Sequence, residues 1–179
     1  QARRRKEIVM SMLSIRAATP RDRDAIRQVE EHAFGQLAEA GLVDALTSDG
    51  DTVLELVAVE DGQVIGHVLF SRLYVVRKEM ADFPAVALAP LAVDPSFHGT
   101  GIGGALVREA HRRLREAGEK LSVVLGDPAY YGRFGYSRQR AEKFESEYQG
   151  EALQALAWAD APESGRLVYA AAFGNSLAA

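Results

Sequence analysis

The 179-residue chain contains no cysteine, which excludes disulfides, a thiolate nucleophile and any thiolate-bound metal. Histidine is also scarce. The four present, His32, His67, His98 and His111, form no close pair, which argues against a zinc site. No apolar run approaches the roughly 20 residues needed to span a bilayer, and there is no internal repeat or low-complexity tract. Positive charge is not in excess, since 21 Lys and Arg face 25 Asp and Glu for a net charge of −4. A general nucleic-acid binder would be basic. What remains is ordinary globular composition, 47% hydrophobic and 26% charged, enough for one domain with a full core.

Gln1 to Met12 carries Arg3-Arg4-Arg5-Lys6 but not the apolar segment of a secretory signal. It reads as an extension with solvated charges ahead of a domain running from residue 13 to residue 179, and the implied location is cytoplasmic.

Leu13 to Ala17 reads as a strand. Thr19-Pro20 then supplies an N-cap and a first-turn proline for a helix over Arg21 to Phe34, with Ile26, Val29, Ala33 and Phe34 at helical spacing. Leu37 to Leu46 reads as a second helix. Thr52 to Glu60 and Gln63 to Val76 flank Asp61-Gly62, a type I′ hairpin signal between two arms rich in Val, Leu and Ile. Lys78 to Pro84 is a polar break. After a central strand and helix, Leu121 to Leu125 reads as another strand, and Asp127 as the cap of a short helix opened by Pro128. Phe144 to Tyr148, Ala152 to Trp158 and Arg166 to Phe173 are the expected last strands. This order implies an α+β fold, a sheet with helices on both faces.

The stretch from Leu88 to Ala117 organises the rest. Leu88 to Val93 reads as a buried strand ended by Asp94-Pro95. A helix begins near Gly101, with Ile102, Leu106, Ala110, Leu114 and Ala117 on one stripe and Gly118 as the expected left-handed cap. Arg108, Glu109, Arg112, Arg113, Arg115 and Glu116 fall on other faces and look solvated. Between strand and helix, His98-Gly99-Thr100-Gly101-Ile102-Gly103-Gly104 holds four glycines in seven positions. Helix propensity gives no reason for that density, at about 1 kcal/mol per interior glycine. Backbone without Cβ beside the unpartnered N–H groups of a helix start makes a phosphate seat.

Two phosphate-binding patterns fit these glycines. Gly99-x-Gly101-x-x-Gly104 formally matches the dinucleotide fingerprint, but Pro95 to His98 intervene after the strand and the repeated strand-helix alternation is missing. His98-x-x-Gly101-x-Gly103 following Leu91-Ala92-Val93-Asp94-Pro95 resembles the acetyl-CoA signature of the GNAT N-acetyltransferases, (Gln/Arg)-x-x-Gly-x-(Gly/Ala), with His98 in place of the usual Gln or Arg. A second motif, Tyr131-x-x-x-Gly135-Tyr136, resembles that family's Tyr-x-x-x-Gly-Phe element. The run Gly126-Asp127-Pro128-Ala129-Tyr130-Tyr131-Gly132-Arg133-Phe134-Gly135-Tyr136 looks like a small bacterial branch of the family. The element order resembles the family's from Leu13 to Phe173, implying a single GNAT-type domain with a mixed, mostly antiparallel sheet.

That resemblance implies a chemistry. Acetyl-CoA would be the donor and a primary amine, from a small molecule or a protein, the acceptor, with neither nucleic acid nor membrane as partner. Leu91, Ala92 and Val93 would pair with the pantetheine arm through their backbone. The amides from His98, Gly99 and Thr100 through Gly101, Ile102, Gly103 and Gly104 would take the pyrophosphate, and Asp127 either touches the cofactor arm or caps its helix. An amine of pKa about 10.4 must attack in its neutral form, while the departing thiolate, of pKa about 8.5, needs a proton. Tyr131 is the expected acid, and Tyr130 is a packing or substrate residue. The base stays open among His67, Glu30, Glu31, Glu55, Glu60, a water relay and a site with no dedicated base. With no cysteine available, direct transfer in a ternary complex is favoured over a covalent acetyl-enzyme. A non-catalytic acyl-CoA sensor is the alternative, and the resemblance also allows a homodimer through the last strands.

Overall fold

The computed structural model describes residues 13–176 of the chain, so the basic N-terminal extension lies outside them. Antiparallel pairing joins β1 (Leu13–Ala17) to β2 (Thr52–Glu60), β2 to β3 (Gln63–Val76), and β3 to β4 (Phe83–Val93). The Asp61-Gly62 turn has φ of +51° and +77° at its two residues, the left-handed pair that a type I′ hairpin needs. β4 runs parallel to β5 (Leu121–Leu125), which pairs antiparallel with β7 (Leu153–Ala157). β6 (Phe144–Glu145) lies parallel to β8 (Gly165–Val168), and β8 extends the sheet at the far end of β3.

Helices cover both faces of this mixed, mostly antiparallel α+β sheet. On one face α1 (Arg23–Phe34) and α2 (Ala38–Ser48) bury Ile26, Val29, Leu42 and Leu46 against Val57, Leu69 and Ala92. On the other, α3 (Ile102–Glu116) packs Ile102, Leu106, Val107, Ala110 and Leu114 onto Leu56, Val68, Phe70 and Val86. Each such fully buried aliphatic side chain contributes about 1.5–3 kcal/mol. Gly118 adopts φ +88°; its N–H reaches Arg115 O, and Glu119 N–H reaches Leu114 O, so α3 closes in a Schellman motif. Ala117 does not join the stripe; it is exposed at the helix cap. Two short helices, α4 (Pro128–Tyr131) and α5 (Arg138–Ala141), follow β5.

Several boundaries differ from the sequence expectations. β4 begins at Phe83 rather than Leu88, because Val75 to Ser71 of β3 offer a ladder that carries pairing through Pro84. Phe144 to Tyr148 yields only two strand residues, since Ser146 turns the chain by accepting a hydrogen bond from Tyr148 N–H at 3.1 Å. The last expected strand stops at Val168. Ala171–Ser176 forms α6, which turns back so that Ala172 and Phe173 bury against α2. Alanine-rich sequence favours that helix once an apolar surface is there to receive it.

Candidate active site

β4 and β5 part after Leu88. Their parallel pairing covers only Val86–Leu88 on β4 and Ser122–Val124 on β5, and a register shift between Val68 and Phe70 of β3 places Ala89 and Pro90 opposite Leu69 as a bulge on β4. Beyond the bulge, Asp94 N–H donates to Ile65 O at 2.8 Å. By alternation Ala92 also faces β3, so the backbone groups of Leu91 and Val93 face the opening wedge. Among the described residues no strand pairs with them on that side.

The glycine loop closes one side of the wedge. Gly99 and Gly101 adopt φ of +75° and +83°, conformations that residues with Cβ rarely hold. The second is the N-cap of α3 and leaves the first amides of the helix without a side-chain cap. Close approach bears on the other two glycines, tightly at Gly103 and only through the movable end of a long side chain at Gly104. A Cβ on Gly103 would meet the Tyr130 hydroxyl at 2.6 Å, and one on Gly104 would meet Arg108 Nη1 at 2.9 Å. Together Leu91, Val93, His98, Gly99, Gly101 and the start of α3 line a cleft of about 610 Å³. Arg108 and Arg133 stand at its wall, their guanidinium carbons 5.0 Å and 4.6 Å from the rings of Phe134 and Tyr130.

A second cavity, of 280 Å³, opens on the α1–α2 face. Phe34, Leu42, Leu125, Tyr148, Tyr169 and Phe173 wall it, and it shares two residues with the cleft, Leu91 and Tyr131. Tyr131 therefore stands where the two spaces meet. Burial pushes its phenol up to about 12, with neighbouring Tyr130 acting in the same direction, so it holds its proton at neutral pH. A Cβ on Gly126 would lie 2.5 Å from Tyr131 Cε2, so the bare backbone there admits the ring.

The Acetyltransferase (GNAT) domain matches residues 14–138 of this chain. The chain belongs to the GNAT acetyltransferase family. Escherichia coli (strain K12) YhbS, an N-acetyltransferase, is 44% identical over 123 residues, 68% of this chain and 72% of that protein. The solved structure of E. coli YhbS in complex with CoA has a TM-score of 0.83 at 37% identity, covering 91% of this chain and 92% of that one. A GNAT acetyltransferase from Brucella melitensis in complex with acetyl-CoA has a TM-score of 0.76 at 38% identity, over 90% and 97%.

Most of the residues singled out in this GNAT enzyme's sequence converge on the cleft, with three exceptions. Ala92 is buried against α1 and α2, and Thr100 turns its hydroxyl to Phe97 O. Asp127 accepts from Ala129 N–H at 3.0 Å, the capping alternative, and lines neither space. His98 lines the cleft while its Nε2 donates to Val93 O at 2.7 Å, tying the glycine loop to β4. Tyr130 packs edge-to-face on Tyr131, with centroids 5.0 Å apart. Tyr136 is a core residue whose hydroxyl meets Ser122 Oγ at 2.7 Å and His111 Nε2 at 3.0 Å.

The candidate bases fall elsewhere. His67 is 0% exposed, with Nδ1 2.6 Å from Glu30 Oε1 and Nε2 2.7 Å from Glu55 Oε2, and Glu55 is held by Arg23 at 2.5 Å. Burial opposes the imidazolium, but the two carboxylates outweigh it and raise the His67 pKa. Burial likewise raises Glu30. Glu55 goes down because His67 and Arg23 overcome its burial. Neither His67, Glu30, Glu55, Glu31 nor Glu60 lines the cleft or the cavity. The sequence reasoning missed Arg108 and Arg133, which looked solvated or unassigned. Four-residue spacing from Gly104 puts Arg108 on the same helix face, a signal that was available. Glu39, on the wall of the second cavity, had no such signal.

Proposed function

We propose that this GNAT enzyme transfers an acetyl group from acetyl-CoA directly to a primary amine, with both bound at once. The carrying observation is that cleft and cavity meet at Leu91 and Tyr131, so two reactants can approach one phenol from opposite sides. The donor supplies an activated acyl carbon and a sulfur leaving group.

Residues on this chain suit that donor. The uncapped amides at the start of α3, with Arg108 and Arg133 beside them, suit a diphosphate. The backbone of Leu91 and the N–H of Val93, on the side away from β3, suit the amides of a pantetheine arm, which would add to β4 as a strand adds to a sheet edge, with His98 holding the Val93 carbonyl. Relatives solved with CoA and acetyl-CoA support the same donor.

Tyr131 acts as the acid. As the carbon–nitrogen bond forms and the carbon–sulfur bond breaks, its proton passes to sulfur, and the proton lost by the amine returns to the phenol. Burial disfavours a free phenolate, so the two proton movements are coupled. The test is release of CoA thiol from acetyl-CoA with a panel of primary amines. Turnover with at least one amine is expected; binding of acetyl-CoA with no thiol release for any amine would refute the activity.

A further inference from the structure

The second cavity carries information about the acceptor. Its wall is apolar and aromatic, built from Phe34, Leu42, Tyr148, Tyr169 and Phe173 on three separate elements and loops. Tyr148 and Tyr169 meet edge-to-face with centroids 5.3 Å apart, and Tyr169 and Phe173 at 5.5 Å, so rings are stacked along one side. The apolar character reaches the surface, where Phe34 and Leu125 line the cavity yet remain 43% and 44% exposed.

One lining side chain is charged. Glu39, in the first turn of α2, is the sole charged residue among the described residues that line this space. Its carboxylate receives hydrogen bonds from the Gln36 amide at 3.1 and 3.3 Å, and among the described residues no Lys or Arg pairs with it. A half-buried carboxylate lining a space with aromatic rings, hydrogen-bonded only to the Gln36 amide and within electrostatic reach of the Glu30 carboxylate, is complementary to a cation carrying an apolar group. The volume of 280 Å³ equals that of about nine water molecules at roughly 30 Å³ each, enough for a small molecule and too little to enclose an oligosaccharide or a folded peptide segment.

We infer that the acceptor is a small primary amine bearing an aromatic or branched apolar group, with Glu39 as the counter-ion that receives its ammonium. The inference rests on the acetyltransferase reading above and gives it a substrate class. Glu39 is a specificity-determining residue here: the ammonium bound at its carboxylate gives up one proton to solvent, and the neutral amine moves toward Tyr131 along the aromatic wall.

The experiment follows thiol release from acetyl-CoA with 2-phenylethylamine, isoamylamine, spermidine, kanamycin and a lysine peptide, for the wild type and Glu39→Gln. Expected is the highest kcat/KM for the two apolar amines. In Glu39→Gln, their KM rises about tenfold or more while the KM for acetyl-CoA is unchanged. Neutral 2-phenylethanol should compete equally well against both proteins, because it fills the cavity without using the carboxylate. Preference for spermidine, kanamycin or the peptide would overturn the substrate class while leaving the acetyltransferase activity intact. An unchanged amine KM in Glu39→Gln would overturn the role of Glu39. Thiol release with none of the amines would remove both the activity and this inference.

Discussion

His67→Leu removes an imidazole that is wholly enclosed between two carboxylates, at 2.6 Å and 2.7 Å. Glu55 would keep Arg23. Glu30 would keep nothing, because its Oε2 already lacks a hydrogen-bond partner and its Oε1 would lose the only one it has. Removing one member of a buried ion pair costs about 3–5 kcal/mol, since the remaining charge stays desolvated. For a chain of this size each kcal/mol shifts Tm by about 2–4 °C, so a fall of about 6–20 °C is expected. Changing Glu30 as well, in Glu30→Leu/His67→Leu, leaves Glu55 with Arg23 and should recover most of that loss. The pH dependence has a definite sign. A raised His67 pKa gives a contribution that is fully present below its ordinary 6.5 and is lost as pH rises through the folded value. Glu30, also raised, acts in the same direction, whereas lowered Glu55 contributes above its ordinary 4.5 and is lost as pH falls through its folded value. Thermal and urea melts between pH 5 and pH 9, run on the wild type and both variants, measure all of this. A cost below about 1 kcal/mol for His67→Leu, or wild-type stability that climbs steadily from neutral to alkaline pH, would refute a charged His67 at this site.

Tyr131→Phe should lower kcat by about 10²-fold or more with acetyl-CoA affinity retained; steady-state kinetics beside calorimetry check it, and an unchanged kcat would make Tyr131 a packing residue. Gly126→Ala pushes on the Tyr131 ring, so kcat should drop by about tenfold to 10²-fold while the donor still binds. Arg108→Ala and Arg133→Ala should each weaken acetyl-CoA binding by about fivefold at low salt, with the difference shrinking as salt is raised; equal affinity at low salt would remove these guanidinium groups from the phosphate seat.

The residues that shape the phosphate cradle were visible in the sequence because they are contiguous and chemically unusual. Gly99 and Gly101 are glycines for their φ, Gly103 for the Tyr130 hydroxyl beside it, and a helix with a buried stripe follows directly. The Asp61-Gly62 hairpin was legible for a similar reason, since the turn conformation is set by those two residues themselves. Less legible were elements whose state depends on what they meet. Phe83 to Ala87 becomes strand because β3 lies alongside, and Ala171–Ser176 becomes helix because an apolar face of α2 is there to cover.

Sequence by itself determined the α+β order of elements and the glycine cradle, which rest on local backbone preference and short-range periodicity, and it pointed to the family through the resemblance of two short motifs. Only the tertiary structure decided the fate of the ionisable residues. Glu55 and His67 lie 12 residues apart on one hairpin and Glu30 37 residues before His67, and each could have faced substrate, but folding seals them into one buried network. Glu39 and Tyr131 lie more than half the chain apart and come to line a single cavity. The physical reason is that a side chain's solvation and charge partners are set by contacts distant in sequence, and those contacts exist only once the sheet and its helices have packed.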